Sequence, residues 1–220
     1  MNKIPAFAAL LLVTACGGAS NPYGPIDAPM RPVIDQPAVH PIKDEVPVFG
    51  IGQSNMQRGT EEFGIGQQYA RRLQADNPTV NVQYYQAAVG GQNVAQFLNG
   101  GRVADVMDST FSGKTADHLL VHQGEADRGK SSEYWVGTWG TVLGQMETKG
   151  YIDGDTNVTF GEVARDLPEY QTRNADMPEL AARFGVNIAS SKGLATSDGV
   201  HFTPEDRNAM GDRYYEAAMK

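Results

Sequence analysis

From residue 46 onward one pattern repeats: a short apolar run ends in glycine and polar residues, and a stretch with helical spacing follows. Residues 46–51 are the first run, ending in Gly52-Gln53-Ser54-Asn55-Met56, and a helix is expected over 61–74. Residues 80–89 form a second run that closes in Gly90-Gly91, and 119–121 centre a third that ends in His122-Gln123-Gly124-Glu125. Residues 157–163 and 186–189 supply a fourth and a fifth strand. Ser131 or Ser132 caps a helix in which Trp135, Trp139, Val142 and Met146 make one apolar stripe, so the tryptophans are read as core. Asp176-Met177-Pro178 is expected to open another helix, carrying Leu180 and Phe184. Thr203 as N-cap, Pro204 at the first helical position and Asp206 announce the last one, with Met210, Tyr214 and Ala217 inward. Strands alternating with helices imply an α/β fold with a parallel sheet covered on both faces. Ligands of such sheets bind beyond the carboxyl ends of the strands, which is where the polar clusters fall.

The chain has 220 residues, 40% of them hydrophobic, enough for one domain to bury a core without disulfides or metal staples. With 18 Lys+Arg against 26 Asp+Glu the formal net charge is 18 − 26 = −8, and no basic run offers a footprint for nucleic acid. The single cysteine, Cys16, follows Lys3, an apolar run over 4–13 broken by Pro5, and Thr14-Ala15. That run falls short of the roughly 20 residues a membrane span needs and fits a signal segment. Val13-Thr14-Ala15-Cys16 resembles a bacterial lipobox, which implies cleavage before Cys16, acylation of its thiol and tethering to a membrane by lipid alone. Gly17-Gly18 lacks the Asp of inner-membrane retention, so the expected location is periplasmic or at the cell surface, on the outer membrane where the cell has one. Six prolines between Pro22 and Pro41 make 16–45 a semi-stiff spacer, which leaves 46–220 as the working domain.

Nucleophilic ester hydrolysis needs a hydroxyl, an imidazole to take its proton, a carboxylate to orient the imidazole, and N–H donors for the oxyanion. Ser54 lies between a strand and a helix, where its hydroxyl and its own N–H can project from the sheet edge. A glycine two residues after the serine is missing, so this is not a Gly-x-Ser-x-Gly elbow. Asp198, three residues before His201 across Gly199, could orient that ring, although the same spacing fits a surface turn or part of a metal site. After the third strand, Gln123 can aim an amide N–H at an oxyanion while Glu125 holds that amide or a loop. His118 and His122 share a strand face but stand roughly 13 Å apart, too far for one zinc, so His118 reads as structural or solvent-facing. His40 reads as solvated.

Four blocks in this order, Gly-Gln-Ser-Asn-Met at 52–56, Gly-Gly at 90–91, His-Gln-Gly-Glu-Ala-Asp at 122–127 and Asp-Gly-Val-His-Phe-Thr at 198–203, resemble the SGNH hydrolase superfamily. Within it they look like the sialate O-acetylesterase-like branch of carbohydrate esterases. The resemblance implies a flavodoxin-like three-layer α/β/α sandwich of about five strands. It also implies a serine esterase with Ser54 as nucleophile, His201 as base and then acid, and Asp198 as orienter. The implied oxyanion hole is Ser54 N–H, Gly91 N–H and the Gln123 side chain, with Gly90 the alternative to Gly91. No metal or organic cofactor is implied, and the implied partner is an O-acylated carbohydrate.

The chain departs from the branch at Gln92, Asn93 and Phe97, where a Thr or Ser and then a Trp are common, and at Val121 in place of an aromatic. Gln92 and Asn93 are accordingly expected to line a substrate wall of its own kind. Two rivals stand beside the esterase: a tethered carbohydrate-binding lipoprotein of the same fold without turnover, and a metal-dependent hydrolase, for which no compact ligand motif is present.

Overall fold

The computed structural model describes residues 44–59 and 62–220. The signal segment, Cys16, His40 and the spacer up to residue 43 lie outside the described residues, as does Glu61 at the expected start of the first helix.

Five strands, β1 (Glu45–Gly52), β2 (Asn81–Ala88), β3 (His118–His122), β4 (Asn157–Gly161) and β5 (Asn187–Ala189), form one sheet in the order β2-β1-β3-β4-β5. Every pairing is parallel. The helices are α1 (Ser54–Gln57), α2 (Ile65–Asp76), α3 (Arg102–Phe111), α4 (Ser132–Thr148), α5 (Gln171–Phe184) and α6 (Pro204–Ala218). Side chains alternate across the sheet as strand geometry demands. Phe49, Ile51, Leu119, Val121 and Phe160 pack into one core with α3, α4 and α5, while Val48 and Leu120 join another with α2 and α6. Both faces of β1 and β3 are thereby buried, which is why those strands read as nearly continuous apolar runs. The result is the expected three-layer α/β/α sandwich. Its strand order reverses between β1 and β3, the switch point where an open α/β sheet leaves a crevice at its carboxyl edge.

Local chemistry sets most boundaries. Ser131 caps α4 by accepting from Tyr134 N–H at 3.2 Å, and the expected stripe Trp135, Trp139, Val142 and Met146 is fully buried. Thr203 caps α6 through Asp206 N–H at 3.2 Å, with Pro204 at its first position. Two helices depart from the sequence reading. α3, which the reading does not assign, buries Val103, Ala104, Met107 and Phe111, and Phe111 stacks on Phe49 with ring centres 4.0 Å apart. α5 starts at Gln171 rather than at Asp176, so Pro178 lies inside it. An interior proline costs about 3 kcal/mol. Burial of Met177, Leu180 and Phe184, at about 1.5–3 kcal/mol for each such side chain, outweighs it.

Candidate active site

The carboxyl edge at the switch point is tightly drawn. Gly52 ends β1 with φ +156°, and a Cβ there would lie 2.2 Å from His122 O, so only glycine lets β1 and β3 finish against each other. Gln53 N–H then donates to His122 O at 3.2 Å, and the chain turns directly into α1 with Ser54 as its first residue.

The last loop before α6 brings His201 to that serine. Thr196 and Phe202 form an antiparallel bridge, Ser197 N–H donates to His201 O at 2.8 Å, and Gly199 turns the chain at φ +82°. Asp198 Oδ1 accepts from the N–H groups of Val200 at 3.1 Å and His201 at 2.8 Å, which leaves Oδ2 for His201 Nδ1 at 2.6 Å. A carboxylate only accepts, so the proton of neutral His201 resides on Nδ1, and Nε2, 2.9 Å from Ser54 Oγ, is free to accept from the hydroxyl. The His201 side chain and these N–H donors hold the Asp198 carboxyl well below the ordinary carboxylate range. Both partners stay reachable from solvent, with side-chain exposures of 17% for His201 and 50% for Asp198.

The third strand contributes Gln123, whose amide has one available orientation. Trp135 Nε1–H donates to Oε1 at 3.0 Å, so Nε2 must face the other way, towards Asp127 Oδ2 and, at 3.4 Å, Gln92 O. Trp135 is therefore both core and support for the site. Asp127 also accepts from Val94 N–H at 2.9 Å. Burial pushes the Asp127 pKa up, against the opposing effects of Gln123, Val94 N–H, Arg173 and Lys130. The sequence reading assigns Asp127 no role, although it is the final residue of the quoted His-Gln-Gly-Glu-Ala-Asp block.

Of the two alternatives expected for Glu125, the structure shows the second. Glu125 holds the Ser54 loop, accepting from Gln53 Nε2 and, at 2.7 Å, from Asn55 Nδ2, while Asp127 holds the Gln123 amide. Burial alone would raise the Glu125 pKa, but His122 and the Asn55 amide keep it below the ordinary value. His122 is buried, with Nε2 3.6 Å from Glu125 Oε1 and Nδ1 3.2 Å from Tyr214 OH. His118 instead meets Tyr69 OH at 2.9 Å through Nδ1, so the two histidines serve separate partners.

After β2, Gly90 N–H donates to Gln57 Oε1 at 2.7 Å, and Gly91 follows at φ +71°, a left-handed turn position. Gln92 Nε2 donates to Gly90 O at 3.2 Å, and Asn93 Oδ1 accepts from Ala95 N–H at 3.1 Å, capping the short turn Val94–Phe97. Both residues, expected on the substrate wall, thus brace the glycine loop beside Gln123. Among the described residues no group of three His, Cys, Asp or Glu side chains is arranged to hold a metal ion.

The family model described as carbohydrate esterase, sialic acid-specific acetylesterase, matches residues 36–220. No curated protein sequence matches the chain. Among solved structures, a GDSL-like protein from Parabacteroides merdae superposes with a TM-score of 0.64 at 14% identity, covering 81% of this chain and 98% of that one. The acetyl xylan esterase AlAXEase gives 0.61 at 14%, covering 78% of this chain and 99% of that one. XAC1771, a carbohydrate acetylesterase from Xanthomonas citri, gives 0.61 at 11% and 79% of this chain, which spans only 55% of that larger protein. At these identities the structural likeness speaks for the fold.

Proposed function

Because the chain belongs to the carbohydrate esterase family of sialic acid-specific acetylesterases, we propose that it is a serine esterase that removes acyl groups, foremost acetyl, from carbohydrate hydroxyls. The observation that carries this reading is the continuous relay from Asp198 through His201 to Ser54 Oγ, with contacts of 2.6 and 2.9 Å. In the first step Ser54 Oγ attacks the ester carbonyl as its proton passes to His201 Nε2. Asp198 stabilises the resulting imidazolium. His201 then protonates the departing sugar oxygen, leaving acyl-Ser54. A water enters, gives its proton to His201 and attacks the acyl carbon, and the returning proton frees Ser54 as the carboxylic acid leaves.

Three donors are assigned to the oxyanion. Ser54 N–H opens α1 and has no intrahelical acceptor. Gly91 N–H is favoured over Gly90 N–H, because Gln57 already occupies the latter. Gln123 Nε2 supplies the third: of its two hydrogens one goes to Asp127, and the other, which makes only the long 3.4 Å contact with Gln92 O, would turn to the oxyanion.

The test is acetate release from acetylated sugars, with p-nitrophenyl acetate as control, by the wild type, Ser54→Ala and His201→Ala. Turnover in the wild type and its loss in both folded variants is the expected result; a wild type that hydrolyses no acyl ester would overturn the esterase in favour of a carbohydrate-binding module. From residues 1–45 we further propose that the mature protein is an exported lipoprotein anchored through acylated Cys16. Mass spectrometry of the mature N-terminus checks this, and an unmodified Cys16 would refute it.

A further inference from the structure

We propose that Asn55 is a positioning residue that sets the separation of nucleophile and base, with Glu125 fixing the orientation of its amide. This inference deepens the esterase reading and rests on it. Asn55 follows Ser54 in sequence and is fully buried. Its Oδ1 accepts from Phe202 N–H at 3.0 Å, and its Nδ2 donates to Val200 O at 3.0 Å. Those contacts lie on either side of His201. The second hydrogen of Nδ2 goes to Glu125 Oε1 at 2.7 Å, and the other oxygen of Glu125 takes Gln53 Nε2. Ser54 therefore sits between two residues held by one carboxylate, and His201 between two residues held by one amide.

The orientation is forced. A carboxylate offers only acceptors, so Nδ2 must face Glu125, which turns Oδ1 towards Phe202 N–H. A flipped amide would set oxygen against Glu125 and Val200 O, and nitrogen against Phe202 N–H. His201 reaches Ser54 through this junction and not only through its own bond to Asp198. A loop brace that merely stabilised the fold would have no reason to join the immediate neighbours of both reacting side chains.

The experiment measures kcat and KM for p-nitrophenyl acetate, and separately the unfolding midpoint, for the wild type, Asn55→Ala, Asn55→Asp and Asn55→Asp/Glu125→Gln. In Asn55→Ala a water can satisfy the polar groups left behind, so a folded protein is expected. Its kcat should fall roughly a hundredfold, the scale of a 1 Å misplacement, while KM stays within a few-fold. Asn55→Asp keeps Oδ1 but places a second carboxylate against Glu125 and Val200 O, with His122 beside Glu125. Two carboxylates so close share one proton. The protonated pair restores a donor to the junction, so kcat of this variant should fall as pH rises and gain an alkaline limb that the wild type lacks. Replacing Glu125 by Gln in the same protein removes the second carboxylate, and the limb should vanish with partial recovery of kcat.

A folded Asn55→Ala with wild-type kcat overturns the inference, as does a wild-type pH profile in Asn55→Asp, which decides the matter if the alanine variant fails to fold. A wild type without turnover overturns the esterase reading itself, before any variant is made.

Discussion

Replacing Gln123 by Leu tests the oxyanion assignment most directly, because the structure gives this side chain two separable tasks. As an oxyanion donor its loss should cost about 3 kcal/mol of transition-state stabilisation, or roughly a hundredfold or more in kcat. As a buried hydrogen-bonding group its loss strands Trp135 Nε1–H and one acceptor position of Asp127, at about 1–3 kcal/mol of stability for each unsatisfied group. Trp135→Phe separates the two tasks. Of the contacts Gln123 makes it removes only the anchor on Oε1 and leaves the donor in place, so kcat should drop roughly fivefold, the equivalent of one neutral hydrogen bond of about 1 kcal/mol, while the lost ring packing appears in the unfolding measurement. The assay is steady-state hydrolysis of p-nitrophenyl acetate beside urea unfolding of each protein. A folded Gln123→Leu whose kcat stays within a few-fold of wild type would refute the assignment, and equal losses of kcat in the two variants would show that Gln123 acts through packing.

Two further outcomes follow from the geometry. Asp198 is held well below the ordinary carboxylate range, so it stays ionised under mild acidification. Turnover requires unprotonated Nε2, so kcat/KM should fall with acidification along a limb of one-proton slope; a two-proton slope would contradict the relay. Gly52→Ala would force a Cβ to within 2.2 Å of His122 O and 3.1 Å of Met56 Cβ at positive φ. Its unfolding free energy should fall by about 2 kcal/mol or more, and kcat should fall with it because Ser54 is two residues away; a neutral effect would mean that β1 and β3 can part without consequence.

The sequence by itself determined the fold class and singled out Ser54, Asp198 and His201, which the structure brings together. Strongly periodic or fully apolar segments such as β1, β3 and α4 encode their own burial, and Thr203-Pro204 encodes a helix start through local hydrogen bonding and a fixed φ. Ser54 and Gln123 were legible because each follows an apolar run at a strand end, and Asp198 and His201 because they flank a glycine turn just before a helix start, all within a set of ordered blocks. What needed the tertiary structure is whatever depends on contacts between distant segments. Pro178 inside α5 is tolerated because Met177, Leu180 and Phe184 have a core to enter, and no local rule carries that information. α3 is assembled in the same way, through Phe111 on Phe49. At the site, the preference proposed for Gly91 over Gly90 rests on the side chain of Gln57, which sequence distance separates from both. The division of tasks between Glu125 and Asp127 turned on which amide each carboxylate faces. Both carboxylates sit on the short turn Glu125–Asp127, and their partners Gln53, Asn55 and Val94 come from distant segments that only the folded sheet brings to it.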